Sequence, residues 1–327
     1  MSRILLAPME GLADWVLRDV LTRVGGYDAA VSEFVRVSGS VLPPRAFFRI
    51  CPELLNGCRT PAGVPMAVQL LGSDPGFMAA NAAQLAELGP PGIDLNFGCP
   101  APTVNRHGGG ASLLDDPALI GRIARAVREA VPAHIPVTAK MRLGLHDTAP
   151  ALICARAIED GGAAELVVHA RTRDEFYRPP AHWEWVARIR EALRIPVVAN
   201  GEVWTLDDYH RCREVTGCAD VMIGRGVVAD PFLARRIQAS LAGEAPVDGD
   251  DWPELRGLLA LFWQRLPERV LPVHAPGRLK LWLKSLRTRF PQADALYLEV
   301  RSLSRVDEID AVLRRHSIVG EENTHAG

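Results

Sequence analysis

Eight short runs of apolar and β-branched residues recur through the first 225 positions, separated by longer segments whose apolar residues repeat with a helical period. The runs are ILLAP (4–8), DAAVSEF (28–34), PMAVQLLG (65–72), GIDLNFG (92–98), PVTAKMRLG (136–144), ELVVHA (165–170), PVVANG (196–201) and DVMIGR (220–225). Several are apolar almost throughout, as parallel strands covered on both faces must be. Amphipathic stretches such as DPALIGRIARAVREAV (116–131) and WEWVARIREAL (183–193) give way to Pro136 and Pro196, which restart the chain as strand. Eight strands, each with a following helix, predict an α/β fold, a (β/α)8 TIM barrel over residues 1–245. A doubly wound open sheet is the alternative, but it would use fewer parallel strands and a Gly-rich turn after the first, and APMEG is not GxGxxG.

After Pro246 the pattern changes. VDGDD (247–251) reads as a polar linker, and residues 252–316 read as helices without strand pattern, a C-terminal all-helical domain. The tail SIVGEENTHAG (317–327) reads as disordered. The whole chain carries a net charge of -2, which argues against a general nucleic-acid binder. The charge is unevenly spread, however. Between Arg256 and Arg289 eight basic residues face the single acid Glu268, a net +7, so the helical domain offers a basic surface of the kind that meets nucleic acid.

Hydrophobic residues make up 48% of the sequence and charged residues 23%, the balance of a folded protein. No apolar run approaches the roughly 18 to 20 residues that span a bilayer. The start, MSRILLAPMEG, lacks the apolar core and cleavage site of a secretory signal, so a cytoplasmic location is expected. The six cysteines form no CxxC pair and stand near no histidine cluster at zinc spacing, so neither a disulfide framework nor a metal is expected.

Active sites of such barrels lie at the C-terminal ends of the strands, and there the polar residues converge. Pro8, Met9 and Glu10 follow the first strand, Gln69 ends the third, and Asn96 and Cys99 follow the fourth. Lys140 and Arg142 sit on the fifth and His169 on the sixth. Asn200, Gly201 and Glu202 follow the seventh, Gly224 and Arg225 the eighth. Burying so many polar groups is costly unless a ligand or water meets them. The glycine turns after the last two strands suit a phosphate. Lys140 and Arg142, two apart, point to one face and can both reach the mouth, where paired cations suit an anion or a ring that becomes negative on reduction. The amides Gln69 and Asn96 offer donor and acceptor to a heterocycle edge.

Cys99 lies in NFGCPAPTVNRHGGG (96–110). Pro100 fixes the backbone after it, Gly98 removes bulk before it, and the three glycines let the following loop pack close or move as a lid. The thiol is thereby presented at the mouth, where proton donation and nucleophilic attack both remain open.

With NFGCP followed by VNRHGGGASLL, and with APMEG, VQLLG, VTAKMRLG, VVHARTR, VVANGEV and VMIGRG in order, the sequence resembles the tRNA-dihydrouridine synthase family over nearly its whole length. The resemblance implies an FMN enzyme, reduced by NADPH, with NADH possible, that passes hydride to C6 of a uracil in tRNA while Cys99 gives a proton to C5. It implies FMN contacts from Pro8, Met9, Gln69, Lys140, His169, Asn200, Gly201, Glu202, Gly224 and Arg225, with Asn96 holding the target base. APMEG, SEFVRVS and GRLKLWLKSLRTRF look most like the bacterial C-type subgroup, which acts on uridine 16 of the D-loop. On that basis Arg36, Tyr177, Arg278, Lys280 and Arg287 are expected to meet tRNA, as is Arg142 at the mouth. Glu10 is expected to be a hydrogen-bonder without a direct catalytic part, and the protein a monomer with no protein partner. Other readings are an FMN barrel acting on a small molecule and a tRNA-binding barrel without catalysis.

Overall fold

The computed structural model describes residues 2–244 and 249–320. Eight parallel strands close into one barrel in sequence order: β1 (Ile4–Leu6), β2 (Ala29–Arg36), β3 (Met66–Leu71), β4 (Ile93–Phe97), β5 (Val137–Arg142), β6 (Glu165–His169), β7 (Val197–Asn200) and β8 (Val221–Ile223). Each falls within one of the eight apolar runs, except that β2 continues past Phe34 to Arg36. Closure comes from β1 against β8, with Leu5 opposite Met222.

Two compact units are present, Met1–Trp15 with Tyr27–Gly224, and Val16–Gly26 with Arg225–Gly327. Strands β1 to β8 and the helices between β2 and β8 make up the first. These are α2 (Pro44–Ile50), α3 (Pro75–Ala86), the short α4 (Pro102–Asn105), α5 (Pro117–Ala130), α6 (Ala151–Asp160), α7 (Trp183–Ala192) and α8 (Leu206–Thr216), after an α1 (Trp15–Val24) that groups almost wholly with the second unit. Their starts are written in the sequence. Asp74 and Asp116 each precede a proline and accept the backbone N–H three residues on, from Phe77 and Leu119, and Thr205 forms a capping box with Asp208.

Side-chain alternation along the strands sorts the barrel into two zones. Leu5, Ala7, Val31, Val167, Val198 and Met222 pack on one another inside the barrel. Two residues further along, on the same face of β6 and β7, stand His169 and Asn200, and by the same alternation Asp94 and Asn96 share a face of β4, as do Thr138, Lys140 and Arg142 on β5. The floor of the barrel is apolar and its C-terminal mouth polar. Ordinary pairing of β2 with β3 shifts register between Val31 and Phe34, and in that irregularity lie Ser32 and Glu33.

The second unit is helical: α9 (Arg225–Ala229), α10 (Leu233–Leu241), α11 (Trp252–Arg265), α12 (Ala275–Leu286), α13 (Pro291–Val300) and α14 (Val306–Arg315), together with the residues of α1 from Val16. Trp282 and Trp263 are fully buried in it and donate their indole N–H groups to the Val228 carbonyl (3.1 Å) and to Asp310 (2.7 Å). The grouping departs from the boundary expected near residue 245, because α9 and α10 pack with the C-terminal helices; Phe290, for example, meets the Phe232 ring edge-on at 6.4 Å. The linker expected at 247–251 falls partly on residues 245–248, outside the described residues. Of the tail expected to be disordered, 321–327 also lie outside them, but Ile318 and Val319 are buried. Ser317 adopts φ 54°, and Ile318 N–H returns to the Leu313 carbonyl at 2.9 Å, closing the end of α14. Among the described residues no helix is long and apolar enough to cross a membrane.

Candidate active site at the barrel mouth

Cys99 sits just beyond β4, only 9% exposed, and its backbone is clamped on both sides. Its N–H and that of Gly98 donate to Asn96 Oδ1 at 2.8 and 3.0 Å. Its carbonyl accepts from Asn105 Nδ2 at 2.9 Å and from the Ala111 N–H at 3.0 Å. The glycine run serves that clamp by close packing: Gly110 has φ 63°, and a Cβ there would lie 2.8 Å from the Cys99 carbonyl oxygen. Asn105 is a further holding residue that its place in VNRHGGG had not singled out.

The clamp continues into the barrel as a chain of buried side chains. Asn96 Nδ2 donates to Gln69 Oε1 (2.7 Å), Gln69 Nε2 to Asp94 Oδ2 (2.6 Å), and the Thr138 hydroxyl to Asp94 Oδ1 (2.6 Å). Burial pushes the Asp94 carboxyl up to about 6, against the pull of the Gln69 and Thr138 hydrogen bonds. Asp94 was not among the residues picked from the sequence, where it reads as one polar position in a strand.

Burial likewise raises the Cys99 thiol above its ordinary value, and the negative charge of Glu10, whose Oε2 stands 4.0 Å from Sγ, adds to the rise while Arg142 and Arg36 oppose it. The Glu10 carboxyl is itself raised, by burial first and then by Glu33. Glu33 accepts the Gly11 N–H at 2.6 Å and so holds the turn that carries Glu10. The result is a thiol that stays protonated at neutral pH.

Lys140 and Arg142 share a face, as their spacing required, but their roles differ. The Lys140 ammonium makes one hydrogen bond among the described residues, to Asn200 Oδ1 at 2.6 Å, and Asn200 is held in turn by the Met222 carbonyl at 2.8 Å. Desolvation, aided by Arg142, lowers its pKa to about 7. Arg142 is 1% exposed and donates to three backbone carbonyls, of Gly98 (3.0 Å), Thr172 (2.9 Å) and Phe176 (2.7 Å). The loops after β4 and β6 are thus pinned to one guanidinium, which leaves Arg142 as a tie between loops rather than a cation offered to tRNA. Tyr177 is exposed, with Arg142 Cζ 5.3 Å from its ring centroid.

His169 ends β6 with its Nε2 3.4 Å from Arg171 Nη1, and buried Arg171 pairs with Glu202 and donates to the Arg178 carbonyl at 2.7 Å. Arg171 is another buried residue at the mouth that the sequence reading passed over. Gly201 approaches so closely that a Cβ would lie 2.9 Å from His169 Cδ2, and its φ is 114°. Met9 and Pro8 are half-buried at the end of β1, and a Cβ added at Gly224 would meet Met9 Sδ at 3.5 Å. Arg225 opens α9 and groups with the second unit.

The surface cations expected to meet tRNA are more engaged than the sequence suggested. Arg36 is exposed and reaches the Thr103 carbonyl only at 3.5 Å. In the helical unit Lys280 donates to the Leu303 carbonyl, and Arg287 pairs with Asp294 at 2.6 Å and lies over the Tyr297 ring at 4.7 Å. Arg278 is half-buried on α12. The +7 window is also offset within its own unit, since Arg265 pairs with Asp19 and Arg289 lies 3.5 Å from Asp230. Acids outside the window neutralise part of it.

The family model described as dihydrouridine synthase matches residues 5–260. The chain is 59% identical over 329 aligned positions to the tRNA-dihydrouridine(16) synthase of Ralstonia nicotianae, covering 100% of both chains. It is 57% identical to the protein of that name from Aquipseudomonas alcaligenes, covering 95% of this chain and 98% of the other. Among solved structures, histamine dehydrogenase from Rhizobium sp. 4-9 superposes with a TM-score of 0.54 over 80% of this chain and 48% of that one, at 14% identity, a likeness of fold alone. On the extent of the family match and the full-length identity to these relatives, the chain belongs to the dihydrouridine synthase family.

Proposed function

We propose that this protein reduces uridine 16 of tRNA to 5,6-dihydrouridine, using FMN held at the barrel mouth and NADPH as reductant. The observation that carries the reading is the placement of the Cys99 thiol, its backbone clamped at the polar end of the barrel and its pKa raised by burial. The mouth fits a flavin. Lys140 makes one hydrogen bond among the described residues and has its pKa lowered to about 7, so its charged form gains from any group acquiring negative charge beside it. Gln69 and Asn200 present amides from the same interior face, and Gly201 and Gly224 supply side-chain-free backbone after β7 and β8 for a phosphate.

When bound, the flavin supplies the hydride that adds to C6 of the uracil. The chain's own residues do the rest. Electron density moved toward C4 and C5 by that addition must be quenched by a proton at C5, and Cys99 Sγ is the acid. Its raised pKa keeps the proton in place until the carbon becomes basic enough to take it. Arg142 cannot move without releasing three carbonyls, so the loops flanking the thiol stay in register during the transfer. Asn96 spends its oxygen on the Cys99 loop and one N–H on Gln69, leaving one N–H to offer a base. A base can reach such a mouth only by leaving the tRNA stack, and exposed Tyr177 offers it an aromatic face on the way. Arg36 and the cations of the helical unit supply phosphate contacts.

Incubation of unmodified tRNA with the purified protein, FMN and NADPH, followed by position-resolved mapping of dihydrouridine, tests the reading. Product at position 16 supports it. Product elsewhere would keep the chemistry and overturn the position; no product with a flavin-loaded protein would overturn both.

A further inference from the structure

The chain of hydrogen bonds behind Cys99 can run in only one direction. Backbone N–H groups only donate, so Asn96 must turn Oδ1 toward Gly98 and Cys99. Its Nδ2 then faces Gln69, which must answer with Oε1, and Gln69 Nε2 is left needing an acceptor at 2.6 Å. An ionised carboxylate accepts at both oxygens, and Asp94 stands there, its other oxygen filled by the Thr138 hydroxyl. The donor-only end lies at the catalytic loop and the acceptor-only end deep in β4, and each amide between them has one permitted orientation. Asp94, Gln69 and Asn96 are all buried, so water offers no ready substitute along the way.

We propose that Asp94 is a positioning residue: as the acceptor terminus of this chain it fixes the orientation of Gln69 and Asn96 and through them the placement of Cys99. Its side chain is held by Gln69 and Thr138, two links away from the Cys99 loop. The turnover arm of the test rests on the function proposed above, whereas the placement of Cys99 is readable without it.

Four variants separate direction from packing and from charge. Asp94→Leu removes the acceptor. Asp94→Asn keeps one, by turning Oδ1 to Gln69 and Nδ2 to Thr138, whose hydroxyl can accept as well as donate. Thr138→Val alone leaves the carboxylate in place. Asp94→Asn with Thr138→Val strands the new NH2 group, so that the chain is satisfied in neither sense. The readouts are the rate at which iodoacetamide alkylates Cys99, followed on its own peptide, and single-turnover formation of dihydrouridine at saturating tRNA, with tRNA affinity measured in parallel.

The expected result for Asp94→Leu is a several-fold change in Cys99 alkylation and a loss of turnover of about a hundredfold with tRNA affinity retained, as for a reacting group misplaced by about 1 Å. Asp94→Asn and Thr138→Val should each stay within about threefold of wild type on both readouts, and the double variant should lose more than the product of the two. Wild-type alkylation in Asp94→Leu would overturn the proposal. So would an Asp94→Asn variant as impaired as Asp94→Leu, which would assign the effect to charge near Lys140. If Asp94→Leu does not fold, the double variant decides: additive behaviour refutes the chain, coupling supports it. A wild-type protein that forms no dihydrouridine would sink the functional reading and leave the alkylation comparison intact.

Discussion

Binding of FMN to the flavin-free protein should consume a proton at Lys140, in an amount set by pH. The ammonium is desolvated within the barrel, further opposed by Arg142, and has a pKa of about 7 against an ordinary 10.5. Beside a group that carries or acquires negative charge the ammonium is favoured again, and its pKa should return toward the ordinary value. Uptake per flavin bound is then the fraction of lysine unprotonated beforehand, about 0.1 at pH 6, about 0.5 at pH 7 and about 0.9 at pH 8. The sign follows: above pH 7 the complex holds more protons than the free protein, so affinity should fall by up to about tenfold per unit as pH rises. Titration calorimetry in buffers of different ionisation enthalpy, between pH 7 and 9, measures the uptake directly and stays above the second ionisation of a phosphate monoester near 6. Lys140→Met should abolish it. Uptake below about 0.1 proton at pH 8, or uptake that persists in Lys140→Met, would refute the reasoning. The same lysine works on folding with the opposite sense: the unfolded chain holds more protons between about 7 and 10.5, so the flavin-free protein gains stability as pH rises through that window.

Other expectations concern single residues. Cys99→Ala should bind flavin and tRNA normally but lower single-turnover product formation by about 10² to 10⁴, the usual worth of a positioned general acid; a smaller loss would mean that another group donates. Gly201→Ala places a Cβ 2.9 Å from His169 at φ 114° and should destabilise the fold by about 2 to 5 kcal/mol, read as a lower urea midpoint; an unmoved midpoint would contradict the close approach. Lys284 is exposed on α12, and Lys284→Ala should reduce the slope of log tRNA affinity against log salt by about 0.7 to 0.9, whereas a salt-independent wild-type affinity would rule out phosphate contacts.

The barrel was legible because a parallel strand covered on both faces has to be apolar along its length, and eight such runs leave few closed arrangements. The mouth residues followed from alternation: once the barrel is assumed, Gln69, Asn96, Lys140, His169 and Asn200 can only point inward near the strand ends. What sequence could not supply was partnership across distance. Asp94 looks like any polar residue until Gln69, 25 positions before it, and Thr138, 44 after it, are brought to 2.6 Å. Arg142 shares the parity of Lys140, but parity says nothing about the loops that turn back over it and present three carbonyls. The basic window misled for the same reason. Counting along the chain from 256 to 289 omits Asp19, Asp230 and Asp294, which the fold sets against Arg265, Arg289 and Arg287. The boundary near 245 was drawn at a change in local pattern, while α9 takes its packing from α12 and α10 is tied forward by Arg235 to Glu254 and Arg236 to Asp251.

The central claim is that this barrel moves a hydride and a proton to a uridine of tRNA. The most direct measurement is the visible spectrum of the flavin-loaded protein, bleached anaerobically with NADPH and then mixed with unmodified tRNA. The account predicts that the colour returns as dihydrouridine forms, one for each flavin reoxidised, and that tRNA already reduced at position 16 leaves the protein bleached. A flavin that stays bleached in the presence of unmodified tRNA, or a protein that takes up no flavin, would contradict it.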